Sequence, residues 1–387
     1  MQHIYLDNSA TTSLCAAARD RLIAAMDVYG NPSSLHRAGR DAAALVSEAR
    51  AAVARSLGLR NISAGELVFT SCGSEADSLA ILGVAHAKER RHARRIVTTD
   101  SEHPAVENVM KQLEREGFEV VRISTRGGAL DMNEVDAALD PSVMLVSMMA
   151  VNNETGARYD LKTVFSMAKA RSPQAVTHTD AVQGYLKGLL TPASLGADLI
   201  SISAHKVHGP KGVGALYINP ALLKAKQIVP FLLGGGQESG LRSGTENVLG
   251  IVAFGAAVAH LYPRLSEDVA HMTALREYTV ERLASLGIAV KQAPVAAPHI
   301  INLTLPDIKS ETMLHHLDAR GICVSSGSAC AASARNLSRA LLAFGCSEHE
   351  VDCSLRVSLC PDNTHADIDA LIEGLADGLN RLIRIKK

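Results

Sequence analysis

From about residue 60 to residue 218, short apolar runs alternate with segments of helical period. ELVFTS, RIVTTD, VMLVSMMA, AVTHTD, DLISISA and GVGALYI are rich in Val, Ile, Leu and Thr, a pattern that predicts strands. Leu161, Val164, Phe165 and Ala168 fall at i, i+3, i+4 and i+7, and earlier Leu45, Ala49, Val53 and Leu57 recur at every fourth position. Both patterns predict amphipathic helices. Such alternation implies βα units on a mostly parallel sheet with helices on both faces, an α/β fold whose ligands sit at the carboxyl ends of the strands. Helical patterns then fill residues 249–286. After APHIINLTLP a second α+β stretch follows, closing on the helix DIDALIEGLADGLNRLIR. A boundary near residue 260 therefore separates a large domain, 1–260, from a smaller C-terminal α+β domain, 261–387. An N-terminal arm could pack on the smaller domain.

Composition narrows the function classes. A chain of 387 residues exceeds the roughly 250–300 at which one core stops growing, which supports two domains. With 39 basic and 40 acidic residues, the net charge of −1 predicts neither a nucleic-acid groove nor a membrane-surface face. Trp is absent and other aromatics are few, which argues against base-stacking platforms. No run is expected to be apolar for long enough to cross a bilayer, and MQHIYLDNSATT lacks a basic segment followed by an apolar one, so a cytoplasmic protein is expected. Seven scattered cysteines suit reduced thiols. Cys346, Cys353 and Cys360 are evenly spaced around His349, but no C-x-x-C pair accompanies them, and no metal is expected. The basic run Lys88 to Arg95 is expected to end a helix and face solvent.

The chemistry concentrates around Lys206. LISISAHKVHGPKGVGALYI sets it at the end of an apolar strand, flanked by Ser203, His205 and His208 and followed by closely spaced glycines. A snorkelling lysine would explain a lone residue there. Burial lowers a lysine's pKa and makes its amine a nucleophile toward carbonyls, and the surrounding residues favour that role. In TSCGSEADSLAILG a strand runs through a small-residue turn into a helix. The free amides of Gly73, Ser74 and Glu75 suit a phosphate, although Ser74 could equally be an N-cap. THTDAVQG places Asp180 and Gln183 past a strand end. A buried carboxylate there needs a cationic partner such as a pyridinium nitrogen, or else it caps the next turn. His103 in SEHPAV and Asn152 and Asn153 in VNNETG also follow strands and could be loop chemistry. Arg242, Ser243 and Thr245 in GLRSGTENV offer a phosphate grip, and Arg356 in CSLRVSL offers a fork for a substrate carboxylate. In VSSGSACAASARN, Cys330 lies in a small-residue loop that suits a mobile nucleophile, whereas Cys323 in GICVSS has the look of an inert buried thiol.

Taken together, YLDNSATT, GNPSSLHRAG, SEHPAV, VNNETG, HTDAVQ, SAHKVHGPKG, RSGTENV and SSGSACA resemble the pyridoxal-phosphate-dependent cysteine desulfurases of the NifS/IscS branch, over nearly the whole chain. The resemblance implies a fold-type I transferase, a homodimer and pyridoxal 5′-phosphate as cofactor. Lys206 would hold that cofactor as a Schiff base. Gly73, Ser74, Ser203 and His205 would contact its phosphate, joined by Thr245 from a second subunit. Asp180 would pair with the ring nitrogen, Gln183 with the ring hydroxyl, and Asn153 would lie beside it. His103 would stack on the ring and shuttle protons, Arg356 and Asn31 would hold the carboxylate of L-cysteine, and Cys330 would take the sulfur as a persulfide for a protein acceptor. Iron–sulfur cluster assembly or another thio-modification would follow. Three departures from the family pattern bear on that acceptor: Leu233 where a histidine is common, SLCPDN where SLGRF is common, and an end at Lys387 soon after the last helix. A selenocysteine lyase, an aminotransferase, a turnover-free sulfur carrier and a thiol hydrolase are the alternatives.

Overall fold

A computed structural model describes residues 3–60, 62–87, 94–326 and 337–384. Its strands run β1 (Ile4–Tyr5), β2 (Leu67–Thr70), β3 (Arg95–Thr99), β4 (Glu119–Ile123), β5 (Val143–Ser147), β6 (Val176–Asp180), β7 (Leu199–Ser203), β8 (Gly214–Ile218), β9 (Ala289–Val290), β10 (Ile300–Thr304), β11 (Ile322–Cys323), β12 (Ser325–Ser326) and β13 (Ser354–Ser358). Seven of these form one sheet in the order β2-β8-β7-β6-β5-β3-β4, in which only β8 runs against its neighbours. The α/β fold expected from the alternating pattern is therefore present.

Both faces of this sheet are covered, which is why its strands read as continuous apolar runs rather than alternating ones. Phe69, Val97, Val146, Ile200 and Tyr217 pack into one core, and their chain neighbours Val68, Ile96, Leu145, Leu199 and Leu216 into the core on the opposite face. All six strands expected from the sequence form. The seventh strand, β4, was not expected: it is an edge strand in which only Ile123 is fully buried, so Glu119 and Arg122 interrupt the apolar signal.

The helix Arg37–Ser56 forms as expected. Its buried stripe is Ala42, Val46, Ala49 and Val53, with Val46 rather than Leu45 turned inward. It packs against the helix Val248–Leu261 so closely that a Cβ on Gly255 would lie 2.6 Å from the Cα of Ala49. Val248–Leu261 continues through a turn containing Pro263 into Leu265–Ser285. Contrary to the sequence expectation, Val248–Ser285 is long and apolar enough to cross a membrane, with a window of mean hydropathy 1.5. Ile251, Phe254 and Val258 are nevertheless buried in the core under the sheet, so that apolar face is already covered. The helix before the basic run ends at Ala85, and Lys88–His92 and Ala93 lie outside the described residues. Arg94 bonds to the carbonyls of Glu116 and Gly117, and Arg95 opens β3.

A second set of elements gathers about the antiparallel sheet β12-β13-β10-β9 and the closing helix His365–Arg381. Met272, Leu275, Leu303, Leu317, Leu355 and Leu371 form its core, separate from the first two. Leu6 joins this core, and β1 pairs with β11. The N-terminal arm thus lies on the C-terminal elements.

Candidate active site

The carboxyl ends of β2, β3, β5, β6 and β7 converge, as in other open α/β sheets. Asp180 ends β6 and is buried, and its Oδ1 accepts the amide of Val182 at 2.8 Å. Burial pushes its carboxyl up, against the pull of His103 and Lys206. His103 caps the helix Pro104–Arg115, with Nδ1 accepting the amide of Ala105, which leaves the proton on Nε2. Burial holds this imidazole below its usual range, opposed by Asp180 and reinforced by Lys206, so it is neutral. Three of the sequence-predicted residues therefore share one electrostatic environment.

Lys206 sits on the single turn Ala204–Lys206 that follows β7. Its ammonium donates to the carbonyls of Ser9, at 2.5 Å, and Ala10, at 2.8 Å. The same N-terminal strap bonds to the turn elsewhere: Thr12 donates to the carbonyl of His205 and accepts from the amide of His208. Gln183 also donates to the Ser9 carbonyl, at 2.9 Å. His205 lies 3.2 Å from Thr11 Oγ1, and burial drives its pKa to about 4.

At the end of β2 the helix Gly73–Ala85 begins on a glycine. A Cβ there would meet Val182 at 2.8 Å and Ser203 at 3.5 Å, so the helix start, the residues after Asp180 and the end of β7 enclose one close-set cradle. Ser203 Oγ is buried there without a hydrogen-bond partner. The N-cap is Cys72, not Ser74; Ser74 is exposed in the first turn, which removes the capping alternative. Arg242, expected in a phosphate grip, is taken by Glu75, with Nε donating at 2.7 Å. Thr245 is exposed and lines a surface pocket with Thr70, Ser71 and Gly212, and no described contact joins it to Ser203.

Arg356 stands on β13, nearly fully buried. Nη2 donates to Asp7 Oδ1 at 2.8 Å and Nη1 to the Asn153 carbonyl at 2.9 Å, while Nε is buried without an acceptor. Asn153 thus contributes its backbone, and Asn152 braces the loop by accepting from Glu154, Thr155 and the Thr155 hydroxyl. Asn31 is exposed and accepts from its own turn at Ser33; no described contact brings it to Arg356. Cys330 lies outside the described residues. Cys323, expected to be buried, is only half-buried, although burial still raises its thiol pKa.

Several site residues went unmarked in the sequence reading. Asp7 is the protein's own anion for Arg356. Behind Asp180, Asp77 on the cradle helix is buried 3.7 Å from His178, whose nitrogens bond to Ser147 and Ser201. Burial, then the proximity of Asp180, raises the Asp77 carboxyl, and burial lowers the His178 pKa to about 3. Glu102 accepts from Thr99 and Met149, and its burial raises its pKa to about 8. The carboxylate that opens the apolar run DSLAILG was the available signal for Asp77.

The aminotransferase class-V family model matches residues 4–371. The chain is 39% identical to a cysteine desulfurase of Trichormus azollae, over 99% of this chain and 94% of that protein. Among solved structures, a NifS-like protein superposes with a TM-score of 0.90 at 35% identity, covering 98% of this chain and 100% of the other. SspA in complex with cysteine gives 0.80 at 30% identity, covering 93% and 99%.

Proposed function

This chain belongs to the aminotransferase class-V family and stands among its cysteine desulfurases, and from that premise we propose which of its residues do the work. The reaction takes sulfur from L-cysteine and leaves L-alanine. The observation that carries the assignment is the buried Asp180 carboxylate, sharing its surroundings with neutral His103 and with Lys206 beside a partnerless Ser203 hydroxyl.

Pyridoxal 5′-phosphate fits these residues. A buried carboxylate lacking a full complement of donors suits a protonated ring nitrogen, and an orphaned hydroxyl beside a helix start suits a phosphate. Lys206 would hold the cofactor covalently, with Gly73, Ser74, Ser203 and His205 at the phosphate, Thr245 of a second subunit joining them, and Gln183 and Asn153 along the ring. When bound, the cofactor supplies a sink for the electron pair left as the α-proton of cysteine departs.

The chain's own groups do the rest. Arg356, aimed by Asp7 and the Asn153 carbonyl, would take the substrate carboxylate through its unpartnered Nε, with Asn31 as second contact. Lys206 Nζ would carry the α-proton, and Nε2 of His103 would pass protons to and from the reacting carbons. The Cys330 thiolate would attack the substrate sulfur; the carbon–sulfur bond breaks, a sulfur–sulfur bond forms, and the substrate's β-carbon takes a proton to become alanine. The persulfide would go to a protein acceptor serving iron–sulfur assembly or another thio-modification.

A homodimer is supported by exposed apolar side chains: Tyr29 and Leu35 flank Asn31, and Phe231, Leu232 and Leu233 precede the loop of Thr245, the residue expected from a second subunit. Two domains, 1–260 and 261–387, are supported by the separate cores. A cytoplasmic setting is supported by the six described cysteines, all free. The test is incubation with L-cysteine, measuring alanine in the presence of a reductant and the mass added to the protein in its absence. Wild type should yield alanine and a 330-centred persulfide. Cys330→Ala should lose both, and alanine formation at the wild-type rate in that variant would overturn the assignment.

A further inference from the structure

We propose that His208, Cys360 and Asp362 form a binding site for a thiophilic divalent cation such as zinc, joining the Lys206 turn to the end of the Arg356 strand. One ligand atom from each residue lies within 4.8 Å of the others. Tetrahedral bonds of about 2.0–2.3 Å would set such atoms roughly 3.5 Å apart, a contraction that small side-chain rotations supply.

The decisive observation is the state of His208. It is 3% exposed, and its Nδ1 bonds to the carbonyl of Ser13 at 3.0 Å. A carbonyl only accepts, so Nδ1 carries the proton and Nε2 presents a lone pair. That Nε2 is buried with no hydrogen-bond partner. A ring fixed by Nδ1–H to a backbone carbonyl, with the opposite nitrogen bare, is the tautomer that protein zinc sites select. The bland reading, a histidine packed for its shape, leaves a buried acceptor unsatisfied.

The other two ligands come from one turn. Cys360 is buried two residues past β13, its amide held by Asn363 Oδ1 at 2.8 Å, and Asp362 is exposed at the mouth. A thiolate, a carboxylate and a neutral imidazole carry two negative charges, matching a divalent ion and leaving a position for water. Lys187 and His260 also face the cluster. Cys360 and Asp362 both belong to SLCPDN, the segment in which this chain departs from the common SLGRF pattern, so the site is a feature of this sequence. Cys346, Cys353 and His349, the grouping suggested by spacing, do not assemble with Cys360: Cys353 lies 4.0 Å from His349, which bonds to Asp307 instead.

The test does not use desulfurase activity, so it stands or falls apart from the function above. The purified, chelator-treated full chain is titrated with cobalt(II) and then competed with zinc, reading the near-ultraviolet thiolate-to-cobalt band against the same protein without metal. Wild type should bind one equivalent with that band. Asp362→Asn should weaken binding at least tenfold, Cys360→Ser should abolish the band, and Cys353→Ser should retain it. No saturable equivalent in wild type, or binding by Cys360→Ser within threefold of wild type, overturns the proposal. If Cys360→Ser does not fold, Asp362→Asn, altered on the exposed side, decides alone: affinity within threefold of wild type overturns it.

Discussion

Replacing Arg356 by lysine tests whether the guanidinium fork, and not charge alone, holds the substrate. Arginine brings five N–H donors and lysine three. In the structure two of the arginine donors are occupied, by Asp7 and the Asn153 carbonyl, and the remaining three include the buried, partnerless Nε–H. A lysine that kept both protein partners would have one donor left, with no planar pair to meet a carboxylate. One charge-assisted hydrogen bond is worth about 1.5–3 kcal/mol, so KM for L-cysteine should rise roughly 10–100-fold. Lysine also reaches Asp7 and Asn153 less well. Losing about 2 kcal/mol there, against an unfolding entropy of roughly 2.1 cal/mol/K per residue, would lower Tm by about 2–3 °C if the chain melts as a unit. The assay is alanine formation as a function of cysteine concentration, beside thermal unfolding of the same samples. A KM within threefold of wild type in a folded Arg356→Lys variant would refute the carboxylate role.

Two further outcomes follow from buried groups. Ser203→Ala removes a hydroxyl that has no partner, a burden of about 1–3 kcal/mol, so cofactor-free protein should melt at the same or a higher temperature while releasing pyridoxal phosphate about tenfold more readily; unchanged retention, read by equilibrium dialysis, would remove Ser203 from the phosphate site. Glu102 has a folded pKa of about 8, above its unfolded value, so the native state binds the extra proton between the two. Its contribution is complete at acid pH and is lost as pH rises toward 8. Glu102→Gln should therefore flatten the decline in Tm between about pH 5 and 8, and an unaltered slope would mean that another group sets it.

The fold was legible because a doubly covered parallel sheet needs strands that are apolar on both faces, and ELVFT, RIVTT and LISIS announce that directly. β4 was not, because an edge strand tolerates Glu119 and Arg122. Lys206, Asp180 and His103 stood out by the same logic in reverse, each a charged or titratable residue at or beyond the end of an apolar run, and Arg356 stood out as a charge inside one. Ser74 is not the cap because the helix begins two residues earlier than its side-chain chemistry suggests. Cys72, a poor capping residue, takes that position. Asn31 was named through resemblance alone, and its own turn at Ser33 takes only its Oδ1.

What sequence patterns could not express is the part played by residues 7–13. This segment has little helical or strand structure, and several of its important groups are main-chain atoms, which look alike at every position. Yet the carbonyls of Ser9 and Ala10 take the Lys206 ammonium, the Ser9 carbonyl also takes Gln183, Thr12 pins the Lys206 turn, and Asp7 holds Arg356. Asn8 meanwhile donates to the Ser358 carbonyl just beyond Arg356 on β13. One irregular strap thus fixes the lysine beside the seven-stranded sheet and the arginine of the C-terminal elements relative to each other. An irregular segment suits this work, because a helix or an internal strand would spend the same carbonyls on its own ladder. The strap's order therefore depends on both sides, and loosening either Arg356 or Lys206 should be felt at the other through residues that carry no reactive group themselves.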